Sequence, residues 1–425
     1  MKFTTALRSG SALRAAPVAL LLILFYYFID ETRPPSSFDE FSPAIVAYPL
    51  MTLYPLAYAI TAGLAIWESG RLRQAGVWDL APGRSRYRVA LNALIPVIGA
   101  GWLVIVTPSI LSLLRAGVIP SLDSMRLPVM ALLVCLAYAV IGFAIGLKMK
   151  PVIAAPIAAV AVWIVIAFTR SVQPYWIRHV SGLFSDLVFG EVPSLLALTP
   201  PLLLAGGISL GLVVLWLPIT RTFIRGAVAL LTVVGGAGGA YAISHEWPHD
   251  PPLLVGRVEM RCVGEAPRVC MPEATASGAV SVQRDASAVL ASFRSRGVAP
   301  LPSVITDSYA EGRFPLPSTK QTWHLNLTAT SRSGGVRFQV ATATARFPCA
   351  NVDLLRGHAA WYWAASVAGE RKAYEARIRQ EEETVETRRI ERQVRVIVGD
   401  VLKKPNRQQA EWFSETIGAA CGKET

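Results

Sequence analysis

Apolar residues fill seven long runs within the first 245 positions: 15–29, 41–67, 89–114, 127–147, 151–169, 192–220 and 226–244. Most reach the roughly 20 residues that an α-helix needs to cross a hydrocarbon layer about 30 Å thick. The first run is short; Arg14 is placed to snorkel to one set of headgroups, with Tyr26 and Tyr27 near the opposite interface. The second is long enough to tilt, and Pro43, Pro49 and Pro55 are placed to bend it. Residues 171–194 mix Trp176, Ile177, Leu183, Phe184, Leu187 and Phe189 with Arg178, Asp186 and Glu191. That mixture predicts a helix lying in the interface, or a re-entrant segment, rather than a span. In the last run, residues 235–240 read Gly-Gly-Ala-Gly-Gly-Ala, and small residues of this kind let helix backbones approach closely in lipid.

After residue 245 the pattern changes. Residues 245–252 form a polar, proline-rich exit, and 254–263 reads as a strand. Residues 285–296 place Val289, Leu290 and Phe293 on one helical face, with Gly297 as a stop. Residues 323–329 and 336–345 alternate as half-buried strands do, with a turn over 331–335 between them. Beyond Cys349 the chain reads as helical: Ile390, Val394, Ile397, Val398 and Val401 recur at helical spacing, and Trp412, Phe413 and Ile417 form a shorter stripe. The expectation is a polytopic α-helical membrane protein of about seven transmembrane helices, residues 1–245, followed by an extracytoplasmic α+β domain, residues 246–425. About 180 residues suffice for that domain to bury its own core.

Composition agrees: 53% of residues are hydrophobic, 16% are charged and the mean hydropathy is +0.43. A net charge of +12 raises the question of nucleic acid, but its distribution points to topology instead. With a cytoplasmic N-terminus, the inner loops hold Lys2, Arg8, Arg14, Arg71, Arg73, Arg84, Arg86, Arg88, Lys148, Lys150, Arg221 and Arg225 against only Glu68 and Asp79. The outer loops hold Arg33, Arg115, Arg126, Arg170 and Arg178 against seven acids: Asp30, Glu31, Asp39, Glu40, Asp123, Asp186 and Glu191. A Lys/Arg excess marks the cytoplasmic side, so seven crossings leave the C-terminal domain outside. The N-terminus imitates a secretory signal, but Phe28-Ile29-Asp30-Glu31 follows where a small-residue cleavage site belongs, which predicts an uncleaved first helix.

The cysteines fit this placement. Cys135 falls in the fourth run as a small buried hydrophobe. Cys262, Cys270, Cys349 and Cys421 all fall in the outer domain, where an oxidising compartment favours two disulfides. Pairing Cys262 with Cys270 and Cys349 with Cys421 is favoured because the first pair closes a short loop; the other two connectivities stay open.

Three motifs invite chemistry. His245-Glu246-Trp247-Pro248-His249 matches the H-E-x-x-H pattern, in which two histidines one helical turn apart hold Zn²⁺ and the glutamate is the general base. Pro248 inside it and Pro251-Pro252 after it oppose a continuing helix, so the match reads as accidental, and neither a metal, a cofactor nor an enzymatic activity is expected. Glu381-Glu382-Glu383 followed by Arg388, Arg389, Arg392 and Arg395 reads as a solvated helix with ion pairs three or four residues apart, or a surface for a partner. Asn326-Leu327-Thr328 fits the glycosylation pattern, but a strand explains it equally. No phosphate-cradling P-loop sequence occurs, and the runs hold almost no ionisable side chain of the kind that couples carriers to ions. Energised transport would therefore need a partner.

The richest inner loop, residues 68–88, joins the second and third runs. It begins Glu68-Ser69-Gly70-Arg71, continues through Val77-Trp78-Asp79-Leu80-Ala81-Pro82 and ends Ser85-Arg86-Tyr87-Arg88. This resembles the coupling loop of type-2 ABC exporter permeases, in which a glutamate and basic residues leave the second span, a short amphipathic coupling helix follows, and a small-Pro-x-Ser-Arg-like stretch re-enters the bilayer. The outer segment 171–194, just before the sixth run, resembles that family as well. The likeness covers residues 1–220. It implies a permease half that docks on a cytoplasmic ABC ATPase in trans, beside a second copy or a second permease. Trp78, Asp79 and Leu80 would then be docking residues, with Arg84 and Arg86 setting the loop on the headgroup phosphates. The family pattern has six spans with both ends inside, whereas this chain adds a seventh and a cysteine-bearing domain. In that respect it is similar to actinobacterial membrane proteins with such a tail, and its excess of arginine over lysine suits a high-GC genome. A second expectation is a non-transporting anchor for an outer sensing or interaction domain, with the charged helix 370–404 meeting the partner. A third, a membrane-tethered zinc peptidase, rests on the 245–249 motif alone.

Overall fold

The computed structural model of the chain describes residues 11–28, 41–80, 85–184, 187–217, 221–349, 351–380 and 385–421. It divides into two compact units, Met1–Val255 and Gly256–Thr425. The division lies beyond residue 245 because the exit segment stays with the first unit. There, β1 (Val192–Pro193) pairs antiparallel with β2 (Leu253–Leu254), and the Ser194 amide donates to Pro252 O at 3.2 Å.

The first unit is helical: α1 (Ser11–Phe28), α2 (Ser42–Gln74), the single turn α3 (Val77–Leu80), α4 (Arg86–Ala116), α5 (Arg126–Lys148), α6 (Pro151–Phe168), the short α7 (Trp176–Ser181), α8 (Thr199–Val214) and α9 (Thr222–Ser244). Among the described residues, six helical segments are long and apolar enough to cross a membrane; they contain α2, α4, α5, α6, α8 and α9. Residues 171–194, expected at an interface, supply α7 and β1. The surface of the unit suits lipid rather than water. On α6, Ile153, Ile157, Val160, Ile164, Val165 and Phe168 are all exposed, an apolar face that an aqueous solvent would penalise.

Lipid is as apolar as leucine, so association of these helices must come from close packing. Helix α2 is the centre of that packing, against α4, α5 and α6. A Cβ at Gly142 on α5 would collide with Ala62 O of α2, and would stand 3.1 Å from Ala62 Cα. One turn on, a Cβ at Gly146 would strike Ser69 Oγ and Ile66 O, and one at Gly101 on α4 would strike Thr61 Oγ1. Helices α8 and α9 meet in the same way, with the Gly236 Cβ position 2.5 Å from Leu203 O and that of Gly207 3.0 Å from Gly236 Cα. Within the glycine-rich run, Gly236 makes this contact while Gly235 and Gly238 face open space. Cys135 is buried within the bundle.

The second unit is α+β. A four-stranded sheet has the order β3 (Met260–Val263), β4 (Arg268–Pro272), β5 (Val304–Asp307), β6 (Thr322–Leu325). The β3–β4 hairpin is antiparallel and the β4–β5 and β5–β6 pairs are parallel. A parallel pair needs a crossover, and α10 (Ala279–Arg294) supplies the first, burying Val282, Ala286, Val289, Leu290 and Phe293. Six helices follow: α11 (Leu327–Ser333), α12 (Val336–Ala343), α13 (Leu354–Val367), α14 (Arg371–Gln380), α15 (Val385–Val401) and α16 (Asn406–Ala420). Their core gathers around Trp363, with the Phe413 ring tilted against it at 4.4 Å, and includes Val394, Val398 and Val401 from the predicted stripe.

Three strand expectations are corrected. The expected strand 254–263 is two, β2 ending at Leu254 and β3 beginning at Met260; residues 336–343 are helical as α12; and the strand expected over 323–329 stops at Leu325. For the last two the cause is local capping. The Asn326 side chain accepts from the Ala329 amide, while the Asp307 carboxylate accepts from the amides of Leu327 and Thr328, both at 3.0 Å, and from Thr328 Oγ1. Helix α11 therefore starts where the strand would have continued. Gly334, in the left-handed region at φ +71°, ends α11 and lets the chain turn into α12. The disulfides are Cys262–Cys270 and Cys349–Cys421, the favoured pairing.

The glycine contacts are testable by a single methyl group. Gly142→Ala should lower the melting temperature of the detergent-solubilised protein, by an amount equivalent to about 1–3 kcal/mol of overpacking. Gly206→Ala on α8, where an added Cβ meets nothing within 4 Å, should leave it unchanged or raised. Equal melting temperatures for the two variants would remove close α2–α5 contact as the organising feature.

Candidate functional site

The basic end of the bundle is built by α2. Its 33 residues rise about 50 Å, well beyond a 30 Å hydrocarbon layer. Its last turns carry Glu68, Arg71 and Arg73. Glu68 is buried, and its carboxylate accepts from Arg71 Nη2 at 2.7 Å and from the Ser11 amide of α1 at 2.5 Å. The Arg73 guanidinium reaches across to the end of α5 and donates to Leu147 O at 3.0 Å and Met149 O at 2.8 Å. A cation on unsatisfied C-terminal carbonyls is the favourable arrangement for a helix dipole.

Gly76, at φ +62°, turns the chain from α2 into α3. Of the predicted docking residues, Trp78, Asp79 and Leu80 fall on this helical turn, and Arg86 opens α4 in an exposed position. Arg84 and the side chains of Asp79 and Leu80 lie outside the described residues, as does the 81–83 stretch. Trp78 points inward. Its ring meets Trp216 at 5.6 Å and Phe143 at 6.4 Å, both edge-on, and Tyr87 closes the cluster 6.2 Å from Trp216. Tyr87 also donates its hydroxyl to Val213 O at 3.1 Å. Trp78 therefore fastens α3 to α5 and to the residues just past α8, and holds the loop in place. An apolar recess of about 490 Å³ opens beside this cluster, floored by Leu94, Phe143 and Trp216 and rimmed by Ser85 and Arg88.

At the opposite end of the same unit, α7 meets the exit segment. Arg178 is almost fully buried and lies 2.5 Å from His249 Nε2. His179 donates from Nε2 to Pro248 O at 2.9 Å and packs edge-on against Trp247. Trp176 packs on Tyr241, and Tyr175 on His249. The two histidines of the 245–249 motif are thus separated in role: His245 ends α9, and His249 lies in the irregular segment after it. No helix carries both. Among the described residues no group of three or more His, Cys, Asp or Glu side chains has the spacing to hold a metal ion.

The chain matches no family model, and neither the curated proteins nor the solved structures yield a significant match.

Sequence reasoning found the loop but missed what holds it. Arg73 was assigned to topology alone, and Trp216 and Phe143 were read only as parts of apolar runs. The identity of their shared partner, Trp78, was the one available signal, since a tryptophan in a basic loop has two faces to satisfy.

Burial lowers the His179 pKa; its bond to Pro248 O and nearby Asp250 act in the other direction, while Arg178 and His249 add to the lowering. A histidine depressed in the folded state contributes stability above its unfolded value, ordinarily near 6.5, and that contribution is lost as pH falls through the lower folded value. Melting temperature should therefore drop as pH falls below about 6.5. His179→Gln, which keeps a donor for Pro248 O, should flatten that drop. An identical acid profile in the variant would assign the effect elsewhere.

Proposed function

We propose that this chain is a permease-like subunit of an ABC transporter complex, energised by a separate cytoplasmic ATPase that docks at the basic end of the bundle. The observation that carries the reading is the overlong α2, which hands directly, through Gly76, into a helical turn pinned by Trp78. A coupling element must transmit force, so it has to be rigidly joined to a spanning helix, and this one is. The resemblance of residues 68–88 to the coupling loop of type-2 exporter permeases belongs to the same proposal. Trp78 acts in it by positioning the turn; Asp79, Leu80, Arg84 and Arg86 supply the surface. A second copy or a second permease completes the path.

The accompanying topology has seven spans, with α1 as the first, a cytoplasmic N-terminus and the unit from Gly256 onward outside the cytoplasm. The Lys/Arg bias supports this. So do the two disulfides, which persist in oxidising compartments.

A second reading, a non-transporting anchor for an outer interaction domain, is favoured by one observation. Several polar side chains along the spanning helices bond back to their own helix: Thr61 to Ala57 O, Ser109 to Ile105 O and Thr232 to Val228 O. They leave little to line a polar path. Stimulation of ATP hydrolysis by a candidate substrate in proteoliposomes separates the two readings, since an anchor would show none.

Affinity purification in mild detergent should recover a P-loop ATPase, and the double variant Trp78→Ala, Asp79→Ala should reduce that recovery at least about tenfold. Repeated purification without any ATPase would count decisively against the transporter reading. For the topology, Ser281→Cys places a thiol at an exposed position of α10, while the native cysteines are paired or buried. A membrane-impermeant maleimide should label it in intact cells. Labelling only after lysis would reverse the proposed orientation.

A further inference from the structure

The second unit holds an open cavity of about 850 Å³, within the size range of small-molecule sites. Its walls come from four places in the sequence. Helix α10 ends in a turn at Gly297, at φ +84°, where Val298 N donates back to Phe293 O at 3.2 Å. That turn presents Arg294 and Arg296. The loop before β6 brings Lys320, the chain after α12 brings Arg346, and the first turns of α16 bring Arg407 and Glu411. Five cations thus face one carboxylate. That carboxylate is already engaged, since Glu411 accepts from Arg407 Nε at 3.0 Å. Arg294 and Lys320 have no acidic partner among the described residues.

Two of the cations are held in a way that leaves charge to spare. Arg296 donates from Nη1 to Ser292 O at 3.0 Å, while its buried Nε has no partner. Arg346 donates to Thr319 O and lies 5.3 Å over the Trp323 ring, and burial pulls its pKa below the ordinary guanidinium value. A partly dehydrated arginine facing a cavity binds an anion more strongly than a solvated one. The floor is different in kind: half-buried Val298 and Ile417 and exposed Ala299 and Pro300 offer apolar surface, with the rings of Trp323 and Phe413 buried behind it.

We infer that this cavity is a binding site for an organic phosphate, an ester whose phosphate group lies among Arg294, Arg296, Lys320 and Arg346 and whose organic part rests on the apolar floor at Val298 and Ile417. A doubly charged phosphate suits a cluster of this excess better than a single carboxylate does, and arginine forks match its oxygens in pairs. The apolar floor favours an ester over the free ion. The same chemistry is offered by a soluble phosphate ester and by a phospholipid headgroup. The site stands whether or not the bundle transports.

The test uses the full chain in phosphatidylcholine nanodiscs and calorimetric titration with 2-naphthyl phosphate. Saturable binding is expected at one site per chain, at least about tenfold tighter than for 2-naphthol or inorganic phosphate. Arg294→Gln with Arg296→Gln should weaken it about tenfold or more. Glu411→Gln, which removes the one lining acid, should tighten it, and Lys320→Gln at an exposed position should weaken it with no change in melting temperature. These last two keep the test valid should the double variant fold poorly. Competition then identifies the source. Displacement by glycerol phosphate assigns a soluble ester, and displacement by water-soluble dihexanoyl phosphatidylglycerol at lower concentration assigns a lipid headgroup. Binding that matches 2-naphthol, that ignores Glu411→Gln and Lys320→Gln alike, or that neither competitor displaces would overturn the assignment.

Discussion

In a lipid solvent, burying apolar side chains between helices gains almost nothing, because lipid already satisfies them. What remains is dispersion between closely packed atoms, and it falls off within an ångström of separation. The contact of α2 with α5 at Gly142 and Gly146 is therefore the constraint on which the first unit depends. It sets the depth and rotation of α2, and α2 in turn is packed by α4, α5 and α6. Because its middle is fixed, its end is fixed. Glu68, Arg71 and Arg73 take their places at the basic end as a consequence, and the α3 turn follows from them.

The two ends of this unit use charge differently. At the basic end, arginines meet the carbonyls that end helices: Arg73 on Leu147 O and Met149 O, Arg225 on Leu217 O. The residues that bias topology thus also neutralise the negative ends of helix dipoles. At the other end, one arginine is buried. Arg178 lies against His249, and neighbouring His179 against Pro248 O, so that chain leaving the last spanning helix is fastened to α7 before it reaches Val255. A buried arginine costs desolvation unless its donors are engaged. The exit segment supplies part of that engagement through His249 Nε2.

Much of this fold was legible because the bilayer imposes a simple rule. Runs of about 20 apolar residues have few alternatives to a helix, so α2, α4, α5, α6, α8 and α9 stood out, and the face of α10 carrying Val289, Leu290 and Phe293 obeyed helical spacing. Residues 336–345 misled because Val336, Phe338 and Val340 fit a period of two as well as Val336, Val340 and Ala341 fit a helical face. The deciding signals were Asn326 and Gly334, caps whose meaning depends on partners elsewhere, such as Asp307. The inward turn of Trp78 was illegible for a related reason. A loop tryptophan reads as surface until a distant Trp216 is known to lie under it. The cavity in the second unit was equally hidden, since its five cations come from four separate stretches and each alone reads as a solvated charge.

The two units also divide the chemistry. Several hydroxyls along the spanning helices bond back to their own carbonyls, as Thr61 does to Ala57 O, while Tyr58 bonds to Gly182 O and the Tyr54 and Ser112 hydroxyls are buried without a partner among the described residues. Glu68, a buried acid of α2, is engaged by Arg71 and the Ser11 amide. In the second unit Arg294, Lys320 and the Arg296 Nε keep their hydrogen-bonding capacity unspent beside an open cavity. Recognition requires groups that are held in place but not yet satisfied, since a satisfied group has nothing to exchange for a ligand. By that criterion the cations beside the cavity of the second unit, Arg294, Lys320 and the Arg296 Nε, are groups held ready to exchange for a ligand.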